Sequence, residues 1–345
     1  MTTLSPLSTA LSQPATPPEP PVVVAPRRIQ NRGDRTFFGV ITVAVWFVPA
    51  LVLTFLAVLA VGSWPAIRAF GWSFLITKKW DANAEGGEMY GALPFIYGTL
   101  FTAFFALLIA APIGIGVATF LSEIVRGKLR SVIAFLLEIL ATIPSVVYGM
   151  WGLFVLAPFV AEHAQPHLKA FQAHLDGWFG KGNVPFFQFR GFPNGLGLGT
   201  AILVLAVMIL PLIVSISLDA MRSVSVSYRE AALGLGATRW EMIRIAVLPP
   251  ARSGIFGGCI LALGRALGET MAVTMVIGND SSIHWSFLRQ ANTISSIIAN
   301  EYGEADGLKL ASLMELALIL FVMTLTVNLI ARYLTGKLGI KPGSK

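Results

Sequence analysis

The chain has 345 residues, 55% of them hydrophobic and only 12% charged, with a mean hydropathy of +0.73. That composition is too apolar and too charge-poor for a water-soluble domain of this length, so the chain is an integral membrane protein. The net charge of +7 then reads as membrane topology rather than affinity for nucleic acid, and the single cysteine, Cys259, excludes an intrachain disulfide.

Residues 1–36 hold seven prolines before Arg27 and show no apolar periodicity. They are expected to be a disordered cytoplasmic extension ending in Arg27, Arg28, Arg32 and Arg35. The apolar run that follows is about twice the length of a signal-peptide core, so a cleaved leader is not expected. Six stretches are long enough to cross a bilayer: Phe37 to Val61, Phe95 to Leu121, Val132 to Val160, Gly197 to Leu218, Ile255 to Ile277 and Leu310 to Ala331. Barrel strands are about ten residues of alternating polarity, whereas these are continuous apolar blocks. The predicted fold class is therefore all-α, a polytopic membrane bundle of six helices, with outer loops at 62–94, 161–196 and 278–309 and a cytoplasmic tail at 337–345.

Lys and Arg number four before span 1, three between spans 2 and 3 and five between spans 4 and 5, with a further group after span 6. The other loops are weaker in basic residues, and Trp64, Trp72, Trp80 and Trp285 fall near span ends on that side. The positive-inside rule puts both termini in the cytoplasm.

Span 3 contains Glu138 and then Pro144, which should kink the helix near Ser145 and Tyr148; a kinked segment bearing hydroxyls suits a gate. Glu315 is a second intramembrane carboxyl, in span 6. Each of the two either lines a route, pairs with a neighbour, faces the headgroups or is protonated. His163, His167 and His174 lie close in sequence in the outer loop, but Pro166 interrupts the first pair and no cysteine completes a metal site. No metal site is expected.

The loop between spans 4 and 5, "YREAALGLGATRWEMIRIAVLPPARSG" (Tyr228 to Gly254), has the make-up of a docking element. Arg229 to Leu233 form a short helix, Gly234 and Gly236 permit a bend, and Thr238 with Glu241 three residues on completes a capping-box pattern for a second helix. Pro249 and Pro250 are expected to end that helix, while Ala231 and Ala232 leave one face small enough for another protein to approach. No phosphate loop of the form GxxxxGK[ST] occurs in the chain, so it does not hydrolyse ATP by that route.

The segment "EAALGLGATRWEMIRIAVLP" resembles the EAA loop of ABC importer permeases. Glu230, Ala231, Ala232, Gly236, Leu248 and Pro249 match that pattern, and Ala246 departs from its Ile position. The resemblance implies a type I (MetI-like) importer fold, with the loop at 229–250 serving as the coupling helix seated in an ATPase subunit.

Span 5 contains Arg265 and Glu269, roughly 18 and 24 Å from Ser253 at about 1.5 Å per residue, well inside a core about 30 Å thick. A charged side chain there should face protein or water rather than lipid. At i and i+4 the two can pair, but Arg before Glu is the poorer order, and two leucines would avoid the penalty altogether. A pathway for an anion is the better reason, since a guanidinium matches tetrahedral oxyanions in a bidentate way. A structural ion pair is the alternative. Gly254, Gly258, Ala262 and Ala266 form a small-residue stripe for close helix packing.

"GRALGETMAVTMVIGN" (Gly264 to Asn279) and "LEILATIPSVVYGMWGLFV" (Leu137 to Val155) are similar to the PstC-type permeases of the phosphate-specific ABC importer, over roughly residues 37 to 336. That resemblance implies phosphate translocation involving Arg265 and Glu269. It also implies a second permease subunit of the PstA type, ATPase subunits of the PstB type that hold ATP and Mg, a phosphate-binding protein of the PstS type and a plasma (inner) membrane location. This chain itself is expected to be non-catalytic and without a cofactor. Carriage of sulfate, molybdate or a phosphonate remains the alternative, as does an ATPase-independent channel or secondary carrier.

Overall fold

The computed structural model describes residues 32–84, 87–125, 127–180 and 194–338. The chain divides into two units, residues 1–54 and 55–345. The first is described from Arg32 onward as the opening part of helix α1 (Arg32–Phe70), so the helix begins inside the stretch expected to be disordered. Apolar content from Phe37 onward propagates a helix into its preceding turn. Residues 1–31 and 339–345 lie outside the described residues.

In the second unit, α1 ends at Phe70, followed by α2 (Ser73–Ile76), α3 (Leu93–Thr119) and a π-helical turn, Phe120–Ile124. Then come α4 (Lys128–Thr142), α5 (Ser145–Trp151), α6 (Ala157–Phe159) and α7 (Gln165–Phe179), the last three joined into one long helix by π-helical turns. α8 (Leu198–Arg222), α9 (Val226–Gly234), α10 (Arg239–Met242), α11 (Leu248–Leu267), α12 (Met271–Val276), α13 (Ile294–Glu301) and α14 (Gly307–Leu338) complete the chain. Among the described residues six helical stretches are long and apolar enough to cross a membrane: Gly33–Phe70, Leu93–Ile124, Ser145–Trp178, Leu198–Arg222, Arg239–Leu267 and Gly307–Tyr333.

Span 3 differs most from expectation. Ile143 is extended (φ −62°, ψ 128°), as a residue before proline tends to be, and Pro144 starts a new helix instead of kinking the old one. The apolar run therefore splits. α4, which carries Glu138, buries none of its residues, and the crossing segment begins at Ser145 and continues to Trp178 through half of the stretch expected to be outer loop.

α8 is the central helix. The small side chains of Ala103, Ala106, Ala110, Gly114 and Ala118 on α3 are all buried, and a methyl group at Gly114 would lie 2.8 Å from Ile213 of α8. The stripe Gly254, Gly258, Ala262 and Ala266 seats α11 on the same helix: added methyls at Gly254 and Gly258 would meet Ala220 and Ile216. Without a hydrophobic drive between helices in lipid, such close approach is what holds them.

At the end of this unit away from α9 and α10, Trp80 packs on Tyr90 and Phe95 with ring centroids 4.7 and 5.1 Å apart. Its indole N–H donates to Glu301 Oε2 at 3.0 Å, and Lys309 Nζ sits 2.9 Å from the same carboxylate.

Candidate functional site

α11 ends at Leu267, and the chain unwinds through Gly268, Glu269 and Thr270 before α12 begins. The i, i+4 ion pair offered by the sequence is consequently absent. Glu269 has left the helix on which Arg265 stands, and its Oε1 accepts a hydrogen bond from the Ala272 N–H at 3.1 Å, satisfying an orphan amide of α12. Arg265 is exposed, with no hydrogen bond or ion pair to another described residue. Its guanidinium is near enough to the Tyr148 hydroxyl to interact with it electrostatically. Unwound backbone at membrane depth is tolerated where it is packed in protein or borders water.

α5 is pressed onto the same place. A methyl group at Gly149 would lie 2.8 Å from Met275 Sδ and 3.0 Å from Ala272 Cα. Tyr148 is buried, and its hydroxyl donates to the Leu140 carbonyl at 2.7 Å, which ties α5 back to α4 across the proline break. Arg265, Glu269 and Tyr148 thus converge where α5 meets the α11–α12 break, with Ser145 opening α5.

The other two sequence candidates stand apart. Glu138 is exposed on α4. Glu315, 7% exposed, lines a cavity of about 650 Å³ with Ile67, Trp72, Ile96 and Leu100, and its Oε2 has no hydrogen-bond partner among the described residues.

The loop at 229–250 folds as two helices around a bend. Ser225 caps α9 by accepting from the Ser227 N–H, and Gly236 takes φ +89°, which a side chain would strain. Thr238 and Glu241 form the reciprocal capping box at 3.3 and 2.8 Å. Ala232 is buried, while Glu230 and Ala231 are exposed beside Leu235 and Trp240. Pro249 and Pro250 do not end the helix. A π-helical turn, Ile243–Val247, precedes them, and the prolines enter at the first turn of α11, where a missing N–H costs nothing.

Sequence reasoning missed the clamp beneath this loop. Arg229 Nε and Nη2 donate to Glu123 Oε2 and Oε1 at 3.1 and 2.9 Å, and Nη1 and Nη2 each donate once more, to the Val224 and Met221 carbonyls. A carboxylate at the very end of span 2 beside the residue preceding the EAA triplet was the available signal.

A model of the family described as the binding-protein-dependent transport system inner membrane component matches residues 110–339. This chain belongs to that family. The permease is 45% identical over 299 residues to the phosphate transport system permease protein PstC of Pasteurella multocida (strain Pm70), covering 87% of this chain and 90% of that one. It is 47% identical over 284 residues to the PstC of Mesorhizobium japonicum, covering 82% and 84%. Two solved ABC transporters share its fold. One imports the acidic polysaccharide alginate (TM-score 0.52, 18% identity, 88% of this chain and 99% of that one), and the other is the inward-facing methionine transporter MetNI (0.51, 17%, 71% and 95%). The permease fold is therefore that of the MetI-like importers.

Proposed function

We propose that this chain is the membrane-spanning subunit of an ATP-driven importer for inorganic phosphate, working by alternating access. The observation that carries this is an exposed, unpaired guanidinium at the break that ends the fifth crossing helix, in a chain nearly half identical to permeases named for phosphate transport. Arg265 supplies a bidentate positive site for a tetrahedral oxyanion. Glu269, held on the Ala272 amide, sets the local charge balance that lets the anion leave.

Energy comes from outside the chain. The face of α9 and α10 that exposes Glu230, Ala231, Leu235 and Trp240 seats in an ATPase subunit of the PstB type, which binds ATP and Mg. Movement there passes through the Arg229–Glu123 clamp to the end of α3 and through the unbroken α10–α11 helix to Arg265. A PstA-type permease covers the Arg265 face, a PstS-type protein delivers phosphate, and both termini lie on the cytoplasmic side, as the basic loops argue.

The test is labelled phosphate uptake by the purified assembly in liposomes, with sulfate, molybdate and phosphonate as competitors and ATP omitted as a control. Phosphate taken up only with ATP, and displaced only weakly by the others, is expected. Uptake without a co-purifying ATPase would overturn the coupling, and a stronger competitor would overturn the cargo.

A further inference from the structure

Beside Arg265, α11 and α14 enclose a groove of about 640 Å³ lined by Ser253, Gly257, Leu261, Leu325, Asn328 and Arg332, among others. It differs in chemistry from its neighbours. The cavity between α3 and α11 is lined by apolar side chains and Cys259, and the one around Phe101 and Phe105 is aromatic and aliphatic. This groove instead holds a hydroxyl, a carboxamide and a guanidinium, and no carboxylate.

It is also contiguous with the Arg265 site. Leu261, which forms one wall, lies a single helical turn from Arg265 on the side of the coupling loop. The Asn328 amide lies against Gly264, 3.7 to 3.8 Å from where a Cβ would stand, and Arg332 follows one turn further toward the same end. Asn328 makes no hydrogen bond to another described residue. An amide left without a partner at that depth is costly unless water or cargo meets it.

We propose that the α11–α14 groove is a second, inner station for the transported oxyanion, entered from Arg265 and leading to the coupling-loop end, with Asn328 as its donor, the positive charge of Arg332 at its far wall and Ser253 at its mouth. The proposal rests on the phosphate import reading and extends it. Donors about one turn apart, roughly 6 Å, let an anion pass from one to the next without full rehydration. Binding that is repeated and individually weak favours conduction over capture. The same phosphate chemistry could be met by a lipid headgroup, but continuity with Arg265 points to the cargo.

The assembled transporter is reconstituted as wild type, Asn328→Ala and Asn328→Asp, in liposomes of phosphatidylcholine alone and with added phosphatidylglycerol. Asn328→Asp, nearly isosteric but anionic, should lower the maximal phosphate uptake rate about tenfold by like-charge repulsion. Asn328→Ala should lower it about threefold or less, and both results should be the same in the two lipids. Wild-type uptake by Asn328→Asp, equal losses in the two variants, or a loss confined to the anionic liposomes would each overturn the proposal, the last by identifying a headgroup as the occupant.

Should the aspartate variant fail to assemble, Asn328→Cys in a Cys259→Ser background replaces it. An anionic methanethiosulfonate should modify that thiol more slowly in the presence of phosphate, and an unchanged rate would overturn the proposal. If the wild type carries sulfate instead, the phosphate reading fails by itself, and the same series run with sulfate decides the groove.

Discussion

Two arginines in this apolar chain meet their glutamates in opposite ways. Arg229 holds Glu123 with two nitrogens and spends its other donors on two carbonyls, leaving the pair 17% and 6% exposed. Arg265 stands exposed while Glu269, four residues on, turns to a backbone amide. A closed pair transmits position, because four hydrogen bonds hold the guanidinium in place. An open one is available to bind something that comes and goes. The two sites occur on either side of α10 and α11, which form one continuous helix from the coupling loop to the break.

The largest expected effect breaks this comparison at the open site. If Arg265 binds the cargo as proposed, Arg265→Gln removes two charge-assisted hydrogen bonds to it, worth about 1.5–3 kcal/mol each, so phosphate uptake should fall about a hundredfold or more. The melting temperature of the assembly should hold, since nothing in the described fold leans on that side chain. Uptake at the wild-type rate would make Arg265 a bystander.

At the closed site stability should move instead. Removing one partner of a buried pair costs about 3–5 kcal/mol, and the partial exposure of Arg229 brings Arg229→Met to about 2–4 kcal/mol, read by thermal unfolding in detergent. Pairing it with Glu123→Leu should recover most of that loss, because no buried charge is then left alone. A double variant as unstable as the single one would show that the carbonyl contacts, not the ion pair, hold the loop.

Most of the fold was legible because it follows from length and polarity: six apolar blocks gave six crossing helices, and the small-residue stripe on span 5 is the α8–α11 contact. What escaped depends on partners distant in sequence. Glu123 and Arg229 lie 106 residues apart, and no local pattern pairs them. The break at Gly268 has no proline to announce it; it exists because Glu269 caps α12 and α5 presses on Ala272. Conversely, Pro249 and Pro250 have the look of a stop and are not one, since they enter in the first turn of α11, directly after a π-helical turn. Arg265, Glu269 and Tyr148 stand out in the sequence as polar residues in apolar spans, while the parting of Glu269 from Arg265 was visible only in three dimensions.

The packing that keeps the site open can be tested at Gly149. With Ala, the new methyl would stand 3.0 Å from Ala272 Cα, which is backbone and cannot rotate away. Overpacking of this kind costs about 1–3 kcal/mol. Because Ala272 also donates to Glu269, Gly149→Ala should lower uptake severalfold with a smaller drop in melting temperature than Arg229→Met. A variant that loses stability but transports normally would uncouple α5 from the site.

The smallest effect sharpens the comparison at its mechanical end. Thr238 and Glu241 share the two hydrogen bonds of the capping box that starts α10, and α10 runs into the helix that ends at Leu267, two residues past Arg265. Thr238→Ala removes the cap for about 1 kcal/mol, which is about a fivefold shift in the local equilibrium between a formed and a frayed first turn. A frayed turn takes up motion rather than passing it on, so phosphate moved per ATP hydrolysed should fall by about twofold to fivefold, while Thr238→Ser, which keeps the hydroxyl, should stay near wild type. Coupling unchanged in the alanine variant would mean that force travels through α9 and the Arg229 clamp alone, and the continuous α10–α11 helix would then be a strut rather than a lever.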